Sequence, residues 1–218
     1  MLERLRGSAA EFHARTFPDP PRPAVWWFEV DRPAVVLGSR QPVEVLDRAA
    51  CEREGLEVAR RRSGGGIVLL VPGEVTWVDV LVPTGGEGWS DDLRDAMCWL
   101  GERWTAALAA VGVESGVTVH RGGLEGGAWG ELVCFGGIGP GEVLLDGRKL
   151  IGISQRRTRA GARFQCALHH RYDGDRTVGL LAATRPTGPL PPVGVLPGLD
   201  ARTLVGALVD ALGRSAPA

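Results

Sequence analysis

The pattern of elements fits an α+β fold. Three observations carry it. Short apolar runs of strand type fill most of residues 24–172. Helical spacing of apolar residues is confined to 1–17, 43–53, 90–111 and 200–213. The 218 residues hold no internal repeat and no linker strong enough to divide them, so 1–218 reads as a single domain, long enough to bury a sizeable core.

The elements follow in order. Leu2, Leu5, Ala9 and Phe12 sit at helical spacing, which predicts a helix over 1–17. After a proline-rich connection, AVWWFEV (24–30) and AVVL (34–37) are strands, followed by a short helix over 43–53 that Gly55 ends, and a strand over 56–61. Three arginines and three glycines (60–66) precede the apolar strand 67–71, and 74–82 alternates as a further strand. Ser90 is the expected cap of a long helix, with Asp91 and Asp92 favouring its N-terminal dipole. Its apolar face is Leu93, Met97, Leu100, Trp104, Leu108 and Val111, and Gly112 stops it. Strands are expected at 117–120 and 131–135. Asp146-Gly147 marks a hairpin between 142–145 and 150–154. The strand 162–172 places His169 and His170 on opposite faces, so they do not form a metal pair. A Pro- and Gly-rich segment begins at 179, and Asp200 caps a last helix with Leu204, Leu208 and Leu212 inward, closing the 179–213 region.

Composition narrows the function. A net charge of −1 and a pI near 6.4 give no electrostatic case for nucleic acid or an anionic membrane. The apolar run 67–71 is far too short to span a bilayer, and the N-terminus has no signal-peptide core, so a cytoplasmic protein is expected. Cys51, Cys98, Cys134 and Cys166 are widely separated, with no CxxC and no Cys/His cluster. No metal site is expected, and the thiols should be free.

The chemistry concentrates in 132–157, LVCFGGIGPGEVLLDGRKLIGISQRR. Lys149 is the only lysine among 25 Lys and Arg residues. In a chain that writes its other cations as Arg, a lone Lys points to work Arg cannot do: a compact ammonium that can also lose its proton. The plain alternative is a solvated lysine beside a turn. Cys134 lies 15 residues earlier, ahead of a loop of mostly Gly and Pro. Cysteine, glycine loop and hairpin lysine could meet at one pocket, although a free Cys is as a rule a small buried hydrophobe. Arg61, Ser63, Gly64, Gly65 and Gly66 offer a second feature. Consecutive unhindered N–H groups can form an anion nest beside Arg donors; the alternative is a glycine-rich hairpin with solvated arginines. It is not a Walker A loop, having no GK[ST]. His120, heading the Gly-rich loop 121–130, reads as an ordinary surface histidine.

Three segments resemble the catalytic domain of the biotin/lipoate protein ligase family. RRRSGGG (60–66) resembles its RRxSGGG lipoyl-binding loop, DGRKLIGISQ (146–155) its xGxKIxGxAQ segment, and LGSRQ (37–41) its early LGRxQ turn. The resemblance covers about 24–172. It implies a central, mostly antiparallel or mixed sheet flanked by helices, like the catalytic core of class II aminoacyl-tRNA synthetases. It makes Lys149 the family lysine, placed against the acyl carbonyl or adenylate phosphate. Arg61, Ser63 and the glycines 64–66, with Gly152, Ser154 and Gln155, become substrate-binding residues. Two branches are implied. In one, ATP, Mg and lipoate give an adenylate. In the other, octanoyl passes from acyl carrier protein through a cysteine thioester with no cofactor. Cys134-Phe135 resembles the Cys-Phe of such transferases, and a thiolate beside an ammonium is activated to attack a thioester. Transfer through Cys134 is the favoured expectation, onto a lysine of a lipoyl carrier domain of a 2-oxoacid dehydrogenase or of glycine cleavage H protein. A ligase, a non-catalytic accessory subunit that binds acyl groups or carrier domains, and remotely a cysteine hydrolase are the alternatives. The chain departs from the family in two places: Leu70 and Val71 stand where a His-Asp pair is common, and Cys166-Ala167 where the family has His-Gly.

Overall fold

A computed structural model describes residues 1–182 and 185–213. In chain order its elements are β1 (Leu2–Gly7), α1 (Ala9–Ala14), β2 (Ala24–Val30), β3 (Ala34–Leu37), a 3-10 turn (Val43–Val45), α2 (Arg48–Arg53), β4 (Glu57–Arg60), β5 (Val68–Leu70) and β6 (Val75–Pro83). Then come α3 (Leu93–Ala110), β7 (Val117–Val119), α4 (Gly127–Leu132), a 3-10 turn (Cys134–Gly136), β8 (Val143–Leu145), β9 (Arg148–Thr158), β10 (Gly161–His169), α5 (Gly174–Gly179) and α6 (Ala201–Leu212).

Seven strands form one sheet in the order β1-β2-β6-β10-β9-β8-β7, and three form a second in the order β4-β3-β5. Both are mixed: β1–β2 and β3–β4 run parallel and every other pairing is antiparallel. The α+β expectation holds.

Burial on both faces explains why the central strands read as continuous apolar runs. Val25 and Trp27 of β2, with Val78, Val80 and Val82 of β6, face α3 and α6 and pack on Leu100, Trp104, Leu108, Leu204 and Leu208. The alternate residues Trp26, Phe28, Trp77 and Leu81 face the small sheet, meeting Ala34, Val36 and Leu70. The far side of the small sheet, Val35, Leu37 and Leu69, packs on α2 and on Trp129 and Val133. The cleft described below lies between the two sheets.

One buried ion pair fixes the N-terminal helix there. Asp79 of β6 is fully buried and pairs with Arg163 of β10, while Trp77 Nε1 donates to its other oxygen at 2.8 Å. Arg163 also donates to the carbonyls of Phe12 (2.7 Å) and Arg15 (2.6 Å), clamping the end of α1 against the sheet.

Four local expectations are corrected. Residues 1–17 are not one helix. Residues 2–7 pair with β2, and α1 begins at Ala9 because Ser8 and Glu11 form a reciprocal capping box. The 43–53 helix is split, because Asp47 turns its backbone N–H to Leu180 and its side chain to cap α2. The cap of α3 is Asp92, which accepts from Arg94 N and Asp95 N; Ser90 accepts from Asp92 N instead, and Leu93 is exposed. Residues 131–135 are not a strand. They finish α4 and enter the 3-10 turn, because Gly126 and Gly127, both at positive φ, let the chain coil there. α5 was not expected. The 146–147 hairpin, the glycine stop at Gly112 (φ 83°) and the Asp200 cap are as predicted.

Candidate active site

A cleft of about 440 Å³, its mouth included, opens between the sheets. Its floor is a registered row across three strands: Gly152 of β9, Ala167 of β10 and Trp77 of β6. The small sheet supplies Val36, Val68 and Leu70. Cys134 and Phe135 stand at the β9 end, and His13, its ring tilted by 34° against Trp77 at 4.6 Å, stands at the β6 end. Two interstrand steps separate the ends, about 10 Å at the usual strand spacing.

Lys149 reaches this cleft through an irregularity in β9. Simple alternation would put it on the face of Ile151 and Ile153, which pack toward α3. The β8–β9 register slips at Val143/Leu144: Leu144 pairs with Lys149, but Val143 pairs with Ile151. The extra residue, Leu150, joins Ile151 in the core, so Lys149 shares a face with Gly152 and Ser154. Its ammonium is buried and all three N–H groups are engaged. They reach Cys134 O at 2.8 Å, Gly137 O at 3.0 Å and Glu142 Oε1 at 2.7 Å, with Cys134 Sγ at 3.9 Å and the Phe135 ring beneath. Burial works against that charge, but the Cys134 sulfur and the Glu142 carboxylate outweigh it and hold the amine above its usual range.

Glu142 was not singled out in the sequence. It is buried, and it ties Lys149 to two backbone donors, Ile153 N (3.0 Å) and Gly139 N (2.7 Å). The signal was there: it is the only acid between Glu131 and Asp146, and it heads an apolar strand.

Cys134 is half-buried and held by backbone. Its N–H donates to Ile67 O (2.9 Å), and Ile67 N donates to Leu132 O (2.7 Å), a two-bond bridge between the glycine loop and the cysteine turn. Gly66 makes that bridge possible, because a Cβ there would lie 2.5 Å from the Leu132 carbonyl carbon. Gly65 sits at φ 100° near the sulfur, and Gly38 of the early turn lies so close that its Cβ would fall 1.9 Å from Gly65 O. Gly64 is exposed. Arg61 is buried and faces its own loop. It donates to Gly64 O (2.9 Å) and Gly66 O (2.7 Å), while its Nη1 has no partner among the described residues.

A polar chain crosses one wall of the cleft. Ser154 Oγ lies 3.0 Å from Ser63 Oγ, which donates to Gln165 Oε1 at 2.9 Å; Gln165 Nε2 lies 3.0 Å from His13 Nδ1. Burial first, then the Arg163 and Arg61 charges, push the His13 pKa down to about 3, so the ring is neutral at physiological pH. Neither His13 nor Gln165 carried a local signal, since what places His13 is the docking of α1.

Of the residues singled out in the sequence, Cys134, Arg61, Gly152 and Ser154 line the cleft; Lys149 lies buried behind Cys134, Ser63 is bonded to Ser154, and Gly65 and Gly66 belong to the loop packed against Cys134. Gln155 alternates to the opposite face of β9 and does not line the cleft. Leu70, at the first family departure, is part of the apolar wall. The Cys166 side chain belongs to the core under α3, where burial raises its pKa well above the thiol range. His169 packs edge-on against Phe135 at 4.6 Å, and burial, with the His170 and Lys149 charges, lowers its pKa to about 3. His170 bonds Thr76 Oγ1 and Leu196 O, and His120 bonds Gly123 O. Among the described residues no group of three His, Cys, Asp or Glu side chains is placed to hold a metal, and no helix is long and apolar enough to cross a membrane.

Comparison with known proteins gives the family and the fold. A family model described as the lipoyl protein ligase A/B catalytic domain matches residues 9–190, a longer stretch than the 24–172 read from motifs. No curated protein matches the chain by sequence. Among solved structures, a T. acidophilum protein with bound lipoic acid superposes with a TM-score of 0.72 at 17% identity, covering 96% of this chain and 83% of that one. Lipoate-protein ligase A bound with ATP gives 0.72 at 16%, covering 96% and 82%. A structure of a bi-partite lipoate protein ligase and its E2 lipoyl domain from Thermoplasma acidophilum gives 0.67 at 15%, covering 96% and 80%. At such identities the likeness is one of fold, the class II synthetase-like α+β core.

Proposed function

Because this chain belongs to the lipoyl protein ligase A/B catalytic-domain family, we propose that it attaches an octanoyl or lipoyl group to a lysine of a lipoyl carrier domain, taking octanoyl from acyl carrier protein through a thioester on Cys134. The observation that carries this reading is the cysteine sulfur at the head of an apolar cleft, 3.9 Å from the chain's only lysine ammonium.

The steps balance without a cofactor. The Cys134 thiolate attacks the thioester carbonyl of octanoyl-acyl carrier protein. The carrier's thiolate leaves and takes up a proton, and octanoyl-Cys134 remains, its chain lying over Gly152 and Ala167 toward Trp77. The neutral ε-amine of the acceptor lysine then attacks, its nitrogen gives up one proton to water as the amide forms, and the Cys134 thiolate is expelled. Lys149 supplies fixed positive charge beside the sulfur and holds the Cys134–Gly137 turn by its two carbonyl bonds. Arg61 and Gly66 shape the loop over the acyl head, and Ser63 and Ser154 border it. The acceptor is a carrier domain of a 2-oxoacid dehydrogenase or glycine cleavage H protein, and the setting is the cytoplasm.

A second reading, an ATP-dependent ligase, is favoured by the fold neighbours that carry bound lipoic acid and bound ATP. In that branch ATP with Mg and lipoate are substrates, the adenylate phosphate lies near Lys149, and Cys134 is a wall residue. Intact mass separates the two. After mixing with octanoyl-acyl carrier protein and no ATP, the transferase gains one octanoyl group, labile to hydroxylamine and mapped to Cys134. A chain that stays unmodified but makes lipoyl-adenylate from ATP and lipoate is a ligase, and one that does neither is an accessory binder.

A further inference from the structure

The far end of the cleft is not purely apolar. His13 lines it, is buried, and lies with its ring on Trp77, opposite Cys134. Its hydrogen bonding fixes where its proton sits. Gln165 Oε1 accepts from the Ser63 hydroxyl, and the Gln165 amide also faces the Asp79 carboxylate, so its NH2 is directed toward Asp79 and His13. An amide NH2 only donates. Nδ1 of His13 therefore accepts, and Nε2 carries the hydrogen. That Nε2 is buried and has no partner among the described residues. An unmade bond at a buried donor costs free energy, which a ligand acceptor at this point would recover. Protonation does not offer the ring another state, since its pKa lies near 3.

We infer that His13 reads the end of the acyl chain remote from the carbonyl, favouring a chain that ends in an acceptor such as the sulfurs of a dithiolane over one that ends in a plain methyl. The span supports the placement. The floor residues beside Cys134 and His13, Gly152 of β9 and Trp77 of β6, are two strand spacings apart, about 10 Å, comparable to an extended eight-carbon chain. The aromatic face of Trp77 at the same end also suits sulfur. The inference rests on the cleft being the acyl-binding site, which the transferase and ligase readings share, and adds its chain-end selectivity: of the two groups, lipoyl is the one held more tightly.

The test is calorimetric titration of the full chain with lipoate and, separately, octanoate, for the wild type, His13→Phe and His13→Gln. Phe keeps an aromatic ring against Trp77 and removes the donor, whereas Gln keeps a donor. The expected result is that the octanoate-to-lipoate ratio of Kd falls about three- to tenfold in His13→Phe, the size of one modest hydrogen bond, and is largely kept in His13→Gln. A ratio in His13→Phe within twofold of the wild type overturns the inference, however far both affinities move together. If His13→Phe does not fold, His13→Leu makes the same comparison. A wild-type chain that binds neither free acid overturns the chain-end inference alone, because the transferase reading takes its acyl group from a carrier thioester and is decided by the mass gain described above.

Discussion

Glu142→Gln tests the ion pair at the centre of the site. The substitution keeps the shape and removes the charge that faces the Lys149 ammonium at 2.7 Å. Lys149 would then be buried with the carbonyls of Cys134 and Gly137, the neutral amide oxygen of the new Gln and the Cys134 sulfur at 3.9 Å, without the carboxylate. Removing one partner of a buried pair costs about 3–5 kcal/mol. A ceiling exists, because the lysine can shed its proton on folding. From its ordinary pKa of 10.5, neutralisation at neutral pH costs about 5 kcal/mol. In a chain of this length a loss of that size lowers Tm by about 6–20 °C. The pH dependence identifies the cause. In the wild type the folded amine has a raised pKa, so its contribution is complete below the unfolded value and disappears only as pH rises through the folded one. In the variant the folded pKa is depressed, and the unfolded chain binds the extra proton. The gap between variant and wild type should therefore narrow by up to ~1.4 kcal/mol per unit from about pH 7 to about pH 9. Urea unfolding across that range is the assay. A penalty below about 1 kcal/mol, or one that does not change with pH, would refute the account of Lys149 as a buried charge held by Glu142.

Cys134→Ser should abolish the hydroxylamine-labile acyl adduct while the unfolding free energy stays within about 1 kcal/mol, as expected for a half-buried side chain held by its backbone; full transfer activity in that variant would remove the nucleophile assignment. Gly38→Ala places a methyl 1.9 Å from Gly65 O, so the glycine loop must shift; we expect a loss of about 1–3 kcal/mol together with at least tenfold slower acylation, measured on the same preparation by unfolding and by mass. His13 and His169 are buried neutral with pKa values near 3 against 6.5 when unfolded, so stability is full above about pH 6.5 and falls with acidification. Between pH 7 and 5 the two together should cost about 4 kcal/mol, and replacing either with Phe should remove about half of that sensitivity in urea titrations.

Much of the fold was legible where a local rule acted. Asp146-Gly147 specified its hairpin, Asp200 its helix and Gly112 the end of α3. The errors arose where two local rules competed. Leu2 and Leu5 fit a helix as well as a strand, and pairing with β2 decided for the strand. Ser90, Asp91 and Asp92 can each cap, and the geometry chose Asp92. In the site, the glycine loop and the 146–155 segment could be read from composition, because close backbone approach leaves no choice but glycine at Gly66 and a charge-specific role singles out the lone lysine.

The sequence by itself determined the parts: one lysine, a cysteine fifteen residues before it, a run of three glycines, and enough apolar strand to bury them. Only the tertiary structure decided how they meet. The slip at Leu150 turned Lys149 from the α3 face to the cleft, Glu142 closed the ion pair, and the Asp79–Arg163 clamp carried His13 to the far end of the cleft. The physical reason is range. Turns, caps and glycine contacts are fixed by residues a few positions apart. A bulge and a buried charge network answer to strands and helices up to about 150 residues away, as in the bond from Arg163 to Phe12, and the chain acquires that information only when it packs.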